Sequence, residues 1–92
     1  MAQLDKKQRI DALIQLITDI GDPQVCRALF EDMCTAKELE NMAERCYAAK
    51  LLLEGKTYSQ VMELADISSA TLSRVSRCVQ YGEGYRNLLK EK

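Results

Sequence analysis

Residues 58–81, YSQVMELADISSATLSRVSRCVQY, constrain the fold of this chain more than any other stretch. The pattern predicts two short helices and a sharp turn: one helix over 58–64, a bend at Ala65-Asp66-Ile67-Ser68, and a second helix over 69–81. Two helices that cross steeply need a small apolar wedge between them. Val61, Ile67, Leu72 and Val75 supply it, with Ile67 closing the wedge from the turn. Leu72, Val75 and Val79 stand at i, i+3 and i+7 and therefore share one face. The opposite face carries Ala70, Ser73, Arg74, Arg77 and Tyr81. Small side chains followed by arginines suit a helix whose N-terminal end approaches base edges while its later arginines reach phosphates. This is the helix-turn-helix pattern, in which the second helix enters the DNA major groove. The blander reading of the same residues is a helical hairpin with a solvated Ser/Arg face.

Composition narrows the setting. A chain of 92 residues holds one domain, and a lone domain of this size buries a modest core, so oligomerisation would add stability. Few glycines, one proline and few aromatics favour helices over a β-sandwich. The net charge is −1, yet it is unevenly spread: residues 1–54 carry 7 basic and 10 acidic side chains, residues 55–92 carry 6 and 4. The positive excess lies in the half that holds the paired short helices, as expected if that end faces phosphates. Cys26, Cys34, Cys46 and Cys78 form no C-x-x-C pair, and the chain has no histidine. A zinc site is therefore disfavoured, and each cysteine reads as a small buried apolar residue within a helix. With no signal peptide and no membrane-length apolar run, the expectation is a reduced, cytoplasmic protein with no membrane association.

Taken in order, residues 4–20 read as an amphipathic helix in which Ile10, Leu13, Ile14 and Ile17 keep i, i+3, i+4, i+7 spacing, and Leu16 and Ile20 widen the apolar face. A terminal helix this apolar calls for a cover, and in so small a chain a second subunit is the natural one. Gly21-Asp22-Pro23 is expected to end that helix with a glycine cap and to open a second over 23–33, with Asp22 at the N-cap and Pro23 in the first turn. Cys26, Leu29, Phe30 and Met33 would form its buried face. Thr35 and Glu38 form a capping-box pattern for a third helix over 36–54. That helix is apolar on several sides, which marks a central element, and Gly55 is expected to end it in a left-handed cap. Thr57 with Gln60 suggests a second capping box. Gly82-Glu83-Gly84 reads as a hinge before a last short helix over 85–92, anchored by Leu88 and Leu89. The expectation is an all-α, six-helix single domain over 1–92, with 1–54 as dimerisation core, 57–81 as helix-turn-helix and 84–92 as C-terminal helix.

Over residues 35–89 the chain resembles the Trp repressor family. The resemblance is carried by Ala43-Glu44-Arg45, by Leu51-Leu52-Leu53-Glu54-Gly55-Lys56, by the run from Ile67 to Arg77 (ISSATLSRVSR), and by Tyr81-Gly82. It is similar above all to the Trp-repressor-like YerC/YecD group of bacterial proteins. The resemblance implies an intertwined homodimer whose two helix-turn-helix heads project from a shared core and meet a roughly palindromic site. It also implies a ligand place, where Arg45 and Arg74 match the two arginines that hold the corepressor's indole ring and Thr35 matches a threonine near its carboxylate. Two departures disfavour tryptophan itself: Val75 stands where the family has glycine, and Cys78 where it has a serine near the ligand's amino group. Another small effector, or none, fits better. Within the turn, Asp66 replaces a common glycine and is expected to adopt the left-handed conformation. Met62 replaces the small residue that usually lets the two helices approach.

The leading functional expectation is a homodimeric transcription regulator, in the sense of a repressor, on double-stranded DNA. Ser69, Ala70 and Ser73 would face base edges; Lys56, Tyr58, Ser59 and Arg77 would hold phosphates; Ser68 and Arg74 complete the expected DNA-facing set. The competing expectation is a helical protein-interaction module that keeps the shape without binding DNA. An enzyme is disfavoured, since the sequence has no histidine, nucleophile elbow or Gly-rich phosphate loop. No cofactor or metal is expected.

Overall fold

The computed structural model describes residues 3–90 and is all-α. Six helices follow one another: α1 (Lys6–Asp19), α2 (Pro23–Met33), α3 (Ala36–Leu53), α4 (Tyr58–Leu64), α5 (Ser69–Tyr81) and α6 (Gly84–Leu89). Among the described residues no helix is long and apolar enough to cross a membrane. The chain divides into two compact units, Met1–Ala36 and Lys37–Lys92.

In the N-terminal unit, local hydrogen bonds set the helix ends. Asp5 caps α1 through a complete capping box: its carboxylate accepts from the Gln8 amide at 2.8 Å, and the Gln8 side-chain oxygen accepts from the Asp5 amide at 2.9 Å. The helix therefore begins at Lys6, two residues later than periodicity alone suggests. Its end also differs from the expected glycine cap. Ile20 is the C-cap in extended conformation, and its N–H donates to the Ile17 carbonyl at 3.2 Å. Among the described residues the left-handed glycine is Gly55, so Gly21 serves as plain linker. Asp22 and Pro23 act as anticipated, with the Asp22 carboxylate accepting from the Gln24 amide at 2.8 Å and Pro23 at the first helical positions.

Neither α1 nor α2 buries a residue within the single chain. The stripe read from the sequence is helical, yet Ile10 is 60% exposed and Ile14 56%. On α2, Cys26, Leu29 and Phe30 are half-buried, and Met33 is exposed. The buried face expected for α2 is thus only partial.

The C-terminal unit holds the core. Ala48, Ala49 and Leu51 of α3, Val61 of α4, Ala65 and Ile67 of the turn, and Leu72 and Val75 of α5 are buried together. Leu52, Val79, Tyr85 and Leu89 pack against them. All four wedge residues anticipated from the sequence are present. Ala48, Ala49 and Ala65 fill the rest of the core with short side chains. Met62 does not stand between the helices; it is exposed. The polar member of the buried set is Ser76, on the inner side of α5. Burial along α3 is confined to its C-terminal half, and Tyr47 is exposed, so α3 is not covered all round within one chain. The cysteines depart from expectation as well. Cys26 and Cys34 are half-buried, and Cys46 and Cys78 are exposed, on faces of α3 and α5 other than those that enter the core.

Two glycines have structural work. Gly55, at φ 94°, ends α3. Its N–H donates to the Leu52 carbonyl at 3.0 Å and the Lys56 N–H to the Leu51 carbonyl at 3.1 Å, which is the Schellman pattern. Gly82 is needed for a different reason: a Cβ there would lie 2.6 Å from the Cys78 carbonyl oxygen. After it, α6 starts at Gly84 and ends at Leu89, shorter than the 85–92 segment expected; residues 91 and 92 lie outside the described residues. Arg86 ties α6 to the end of α5. Its Nε and Nη2 donate to the Val79 carbonyl at 3.3 and 3.0 Å, and Nη2 also reaches the Gln80 carbonyl.

Leu72 has no exposed surface at the centre of this cluster. Leu72→Ala is expected to lower unfolding stability by about 2–5 kcal/mol, from lost transfer energy plus the cavity left behind. Urea denaturation checks this, and a loss below about 1 kcal/mol would show that the site collapses and that the core is not organised around Leu72.

Candidate nucleic-acid interface and an adjoining cavity

The α4–turn–α5 segment is built by local chemistry at each joint. Thr57 opens α4 with a capping box: its hydroxyl accepts from the Gln60 amide at 3.2 Å, and the Gln60 side-chain oxygen accepts from the Thr57 amide at 2.9 Å. Ala65 ends α4 in extended conformation, with its N–H on the Val61 carbonyl at 2.8 Å. The Ile67 N–H then donates to the Ala65 carbonyl at 2.8 Å, which tightens the turn and drops the Ile67 side chain into the core. Ser68 caps α5. Its hydroxyl oxygen accepts from the Thr71 amide at 3.2 Å, and the hydroxyl also lies 3.0 Å from the Thr71 hydroxyl.

The expectation for Asp66 is corrected here. No described residue other than glycine has positive φ. Asp66 is not left-handed; its N–H instead donates to the Glu44 carboxylate of α3 at 3.1 Å. A side chain from another helix closes the turn, so no glycine is needed.

The helical period sorts α5 into three stripes. Leu72, Val75 and Ser76 point inward. Ser69, Ala70, Ser73 and Arg77 are exposed, as is Arg74. Thr71, Arg74 and Cys78, at i, i+3 and i+7, line a cavity of ≈ 370 Å³ together with Arg45 of α3, Val75 and Tyr85 of α6. Lys56, Tyr58 and Ser59 are exposed around the start of α4. Ser68 is exposed too, but its hydroxyl is already engaged in capping α5.

The structure therefore brings Arg45 and Arg74 to one cavity. Thr35 belongs to the N-terminal unit. Val75 is 2% exposed, packed into the core with one side on the cavity, and the space beside it stays open. Two guanidinium groups, a threonine hydroxyl, a thiol and a tyrosine ring suit a planar or aromatic molecule that carries an anionic group, since a guanidinium stacks on rings and pairs with carboxylates. Thr71 and Tyr85 were not anticipated. The i, i+3, i+7 stripe on α5 carries the signal for Thr71, whereas Tyr85 reaches the cavity only because α6 folds back across α5. A second cavity of ≈ 230 Å³ shares Arg45 and Thr71 and adds Asn41, Glu44, Asp66, Ile67 and Ser68.

The chain is similar to known proteins in sequence and in fold. The sequence model of the family described as Trp repressor protein matches residues 8–92. A Bacillus subtilis (strain 168) protein, "Uncharacterized protein YerC", is 38% identical over 82 residues, covering 87% of this chain and 79% of that protein. A Staphylococcus aureus protein whose crystal structure is given as that of a "putative Trp repressor" superimposes with a TM-score of 0.85 at 30% identity, covering 97% of this chain and 92% of that one.

Ser68→Ala removes the α5 cap and is expected to cost about 1 kcal/mol of stability. A thermal melt of the variant beside the wild type measures this. An unchanged midpoint would mean that the Thr71 amide finds an equal partner in water.

Proposed function

This chain belongs to the Trp repressor family, and from that premise we propose that it is a sequence-specific DNA-binding transcription regulator, acting as a repressor. The family is one of DNA-binding regulators rather than enzymes. In this reading α4 and α5 form a helix-turn-helix, with α5 in the major groove. Ser69, Ala70 and Ser73 face base edges, where small polar side chains let the helix approach closely. Lys56, Tyr58, Ser59, Arg74 and Arg77 contact phosphates and set the register, and the α5 N-terminus, capped by Ser68, adds its own attraction for a phosphate. The observation that carries the reading is the division of α5: a fully packed inner face under an exposed outer face of small polar residues and arginines.

The active form in this reading is an intertwined homodimer. Support comes from the N-terminal unit, where Ile10, Leu13, Ile14 and Leu16 of α1 are all exposed within one chain. A run of large apolar residues with no cover in the monomer is the usual mark of an interaction surface. Residues 1–54 then supply the dimer core and 57–81 the DNA-reading head, with α6 as the C-terminal helix. Two-fold symmetry requires a palindromic operator with half-sites about 34 Å apart. The cavity beside Arg45 and Arg74 is the place for a small effector other than tryptophan.

Mobility shift on mixed genomic DNA at low salt tests the central claim. Retarded fragments are expected, and their absence at micromolar protein would favour the protein-interaction module. Arg77→Ala should weaken binding to all sequences alike and reduce the salt slope by about one unit, whereas substituting Ser73 should change sequence preference. Equal slopes for wild type and Arg77→Ala would remove Arg77 from the phosphate contacts. Ile14→Glu places a charge in the α1 apolar face and should convert a dimer to a monomer in sedimentation equilibrium. A variant that stays dimeric would exclude α1 from the interface.

A further inference from the structure

We infer that Glu44 is a positioning residue for DNA reading: its carboxylate holds the turn before α5 in place, so that loss of Glu44 costs sequence discrimination rather than fold. The inference rests on the DNA-binding reading above and names a residue outside the expected contact set.

Glu44 is half-buried on α3. Asn41, Glu44, Arg45 and Ala48 stand at i, i+3, i+4 and i+7, so they form one stripe of that helix. Ala48 enters the core, while Asn41, Glu44 and Arg45 line the small cavity beneath the turn with Asp66, Ile67, Ser68 and Thr71. The carboxylate therefore sits at the edge of the core, on the side of the turn.

The amides of the turn have different partners. The Ala65 N–H is taken by Val61 and the Ile67 N–H by Ala65, both within the segment itself. The Asp66 N–H goes to Glu44, 22 residues earlier in the chain. The first two bonds fix the shape of the turn. The third adds a polar tie between the turn and α3, beside the apolar contacts that Ala65 and Ile67 make in the core. It is a solvent-exposed hydrogen bond of 3.1 Å to a charged acceptor, and it is directional. Two residues further on, Ser68 starts α5, and Ser69, Ala70 and Ser73 follow on its exposed side. A turn free to shift would carry those side chains away from base edges, which demand close placement. Phosphate contacts by flexible arginines and a lysine tolerate such a shift. Glu44 itself carries the wrong charge for a phosphate contact, which separates its role from theirs.

The test compares Glu44→Ala, which removes the acceptor, with Glu44→Gln, which keeps a neutral one. Alanine is the best helix former, so α3 remains intact. Three quantities are read at one salt concentration: affinity for a fragment selected by the wild type, affinity for random duplex, and hydrogen exchange at the Asp66 amide. For Glu44→Ala we expect about a tenfold loss on the selected fragment, random-duplex affinity within about twofold of wild type, and faster Asp66 exchange. Glu44→Gln should recover most of the lost discrimination. Unchanged discrimination in Glu44→Ala would overturn the inference while leaving the DNA-binding reading intact. So would equal losses on both DNAs together with a lower melting temperature, which is the result of a purely structural role. A wild type that retains no DNA at all would instead refute the reading on which the inference stands.

Discussion

The C-terminal unit depends on one packing arrangement: α3 meets α4, the turn and α5 around Leu72 and Val61, both fully buried. These are the largest side chains with essentially no exposure, and the remaining space is filled by alanines and medium-sized aliphatics. Ala48, Ala49 and Ala65 are buried in it with little or no exposed surface. The result is a small core with little tolerance for volume change. Every exposed residue of interest on α5 takes its orientation from the inner face that this core holds.

The turn shows how few local devices are needed once that core exists. Glycine is the usual solution for a tight connection, because it adopts conformations that other residues avoid. Here the segment stays in ordinary backbone regions, with a capping hydroxyl at Ser68, a short carbonyl contact at Ala65 and a carboxylate delivered from α3. Glycine is used where no alternative exists: at Gly55, where the chain reverses after α3, and at Gly82, where any side chain would strike the α5 backbone. Arg86 completes the arrangement by fastening α6 to the last carbonyls of α5.

Arg74 stands at a junction of roles. It is exposed on α5 and also lines the cavity that Arg45, Thr71, Val75, Cys78 and Tyr85 complete. Its guanidinium is therefore shared between the cavity and the outer face of α5. The same geometry explains why the net charge of −1 is a poor guide to function: what faces outward from α5 is a local arrangement of hydroxyls and arginines.

Residue order alone determined much of this protein. Helical periodicity and capping residues located α2, α4 and α5 at their observed bounds, because such signals act within a few residues and are the same in any surroundings. The wedge of Val61, Ile67, Leu72 and Val75, and the left-handed Gly55, were legible for the same reason. Tertiary structure decided what local signals cannot carry. It left Cys46 and Cys78 exposed, limited burial on α3 to its C-terminal half, and left Met62 exposed while Ala65 is buried. It also brought Tyr85 to the cavity and the Glu44 carboxylate to the Asp66 amide. Each of these is set by which faces of different helices meet, and that depends on residues far apart in the chain, where no periodicity or spacing within one segment leaves a trace.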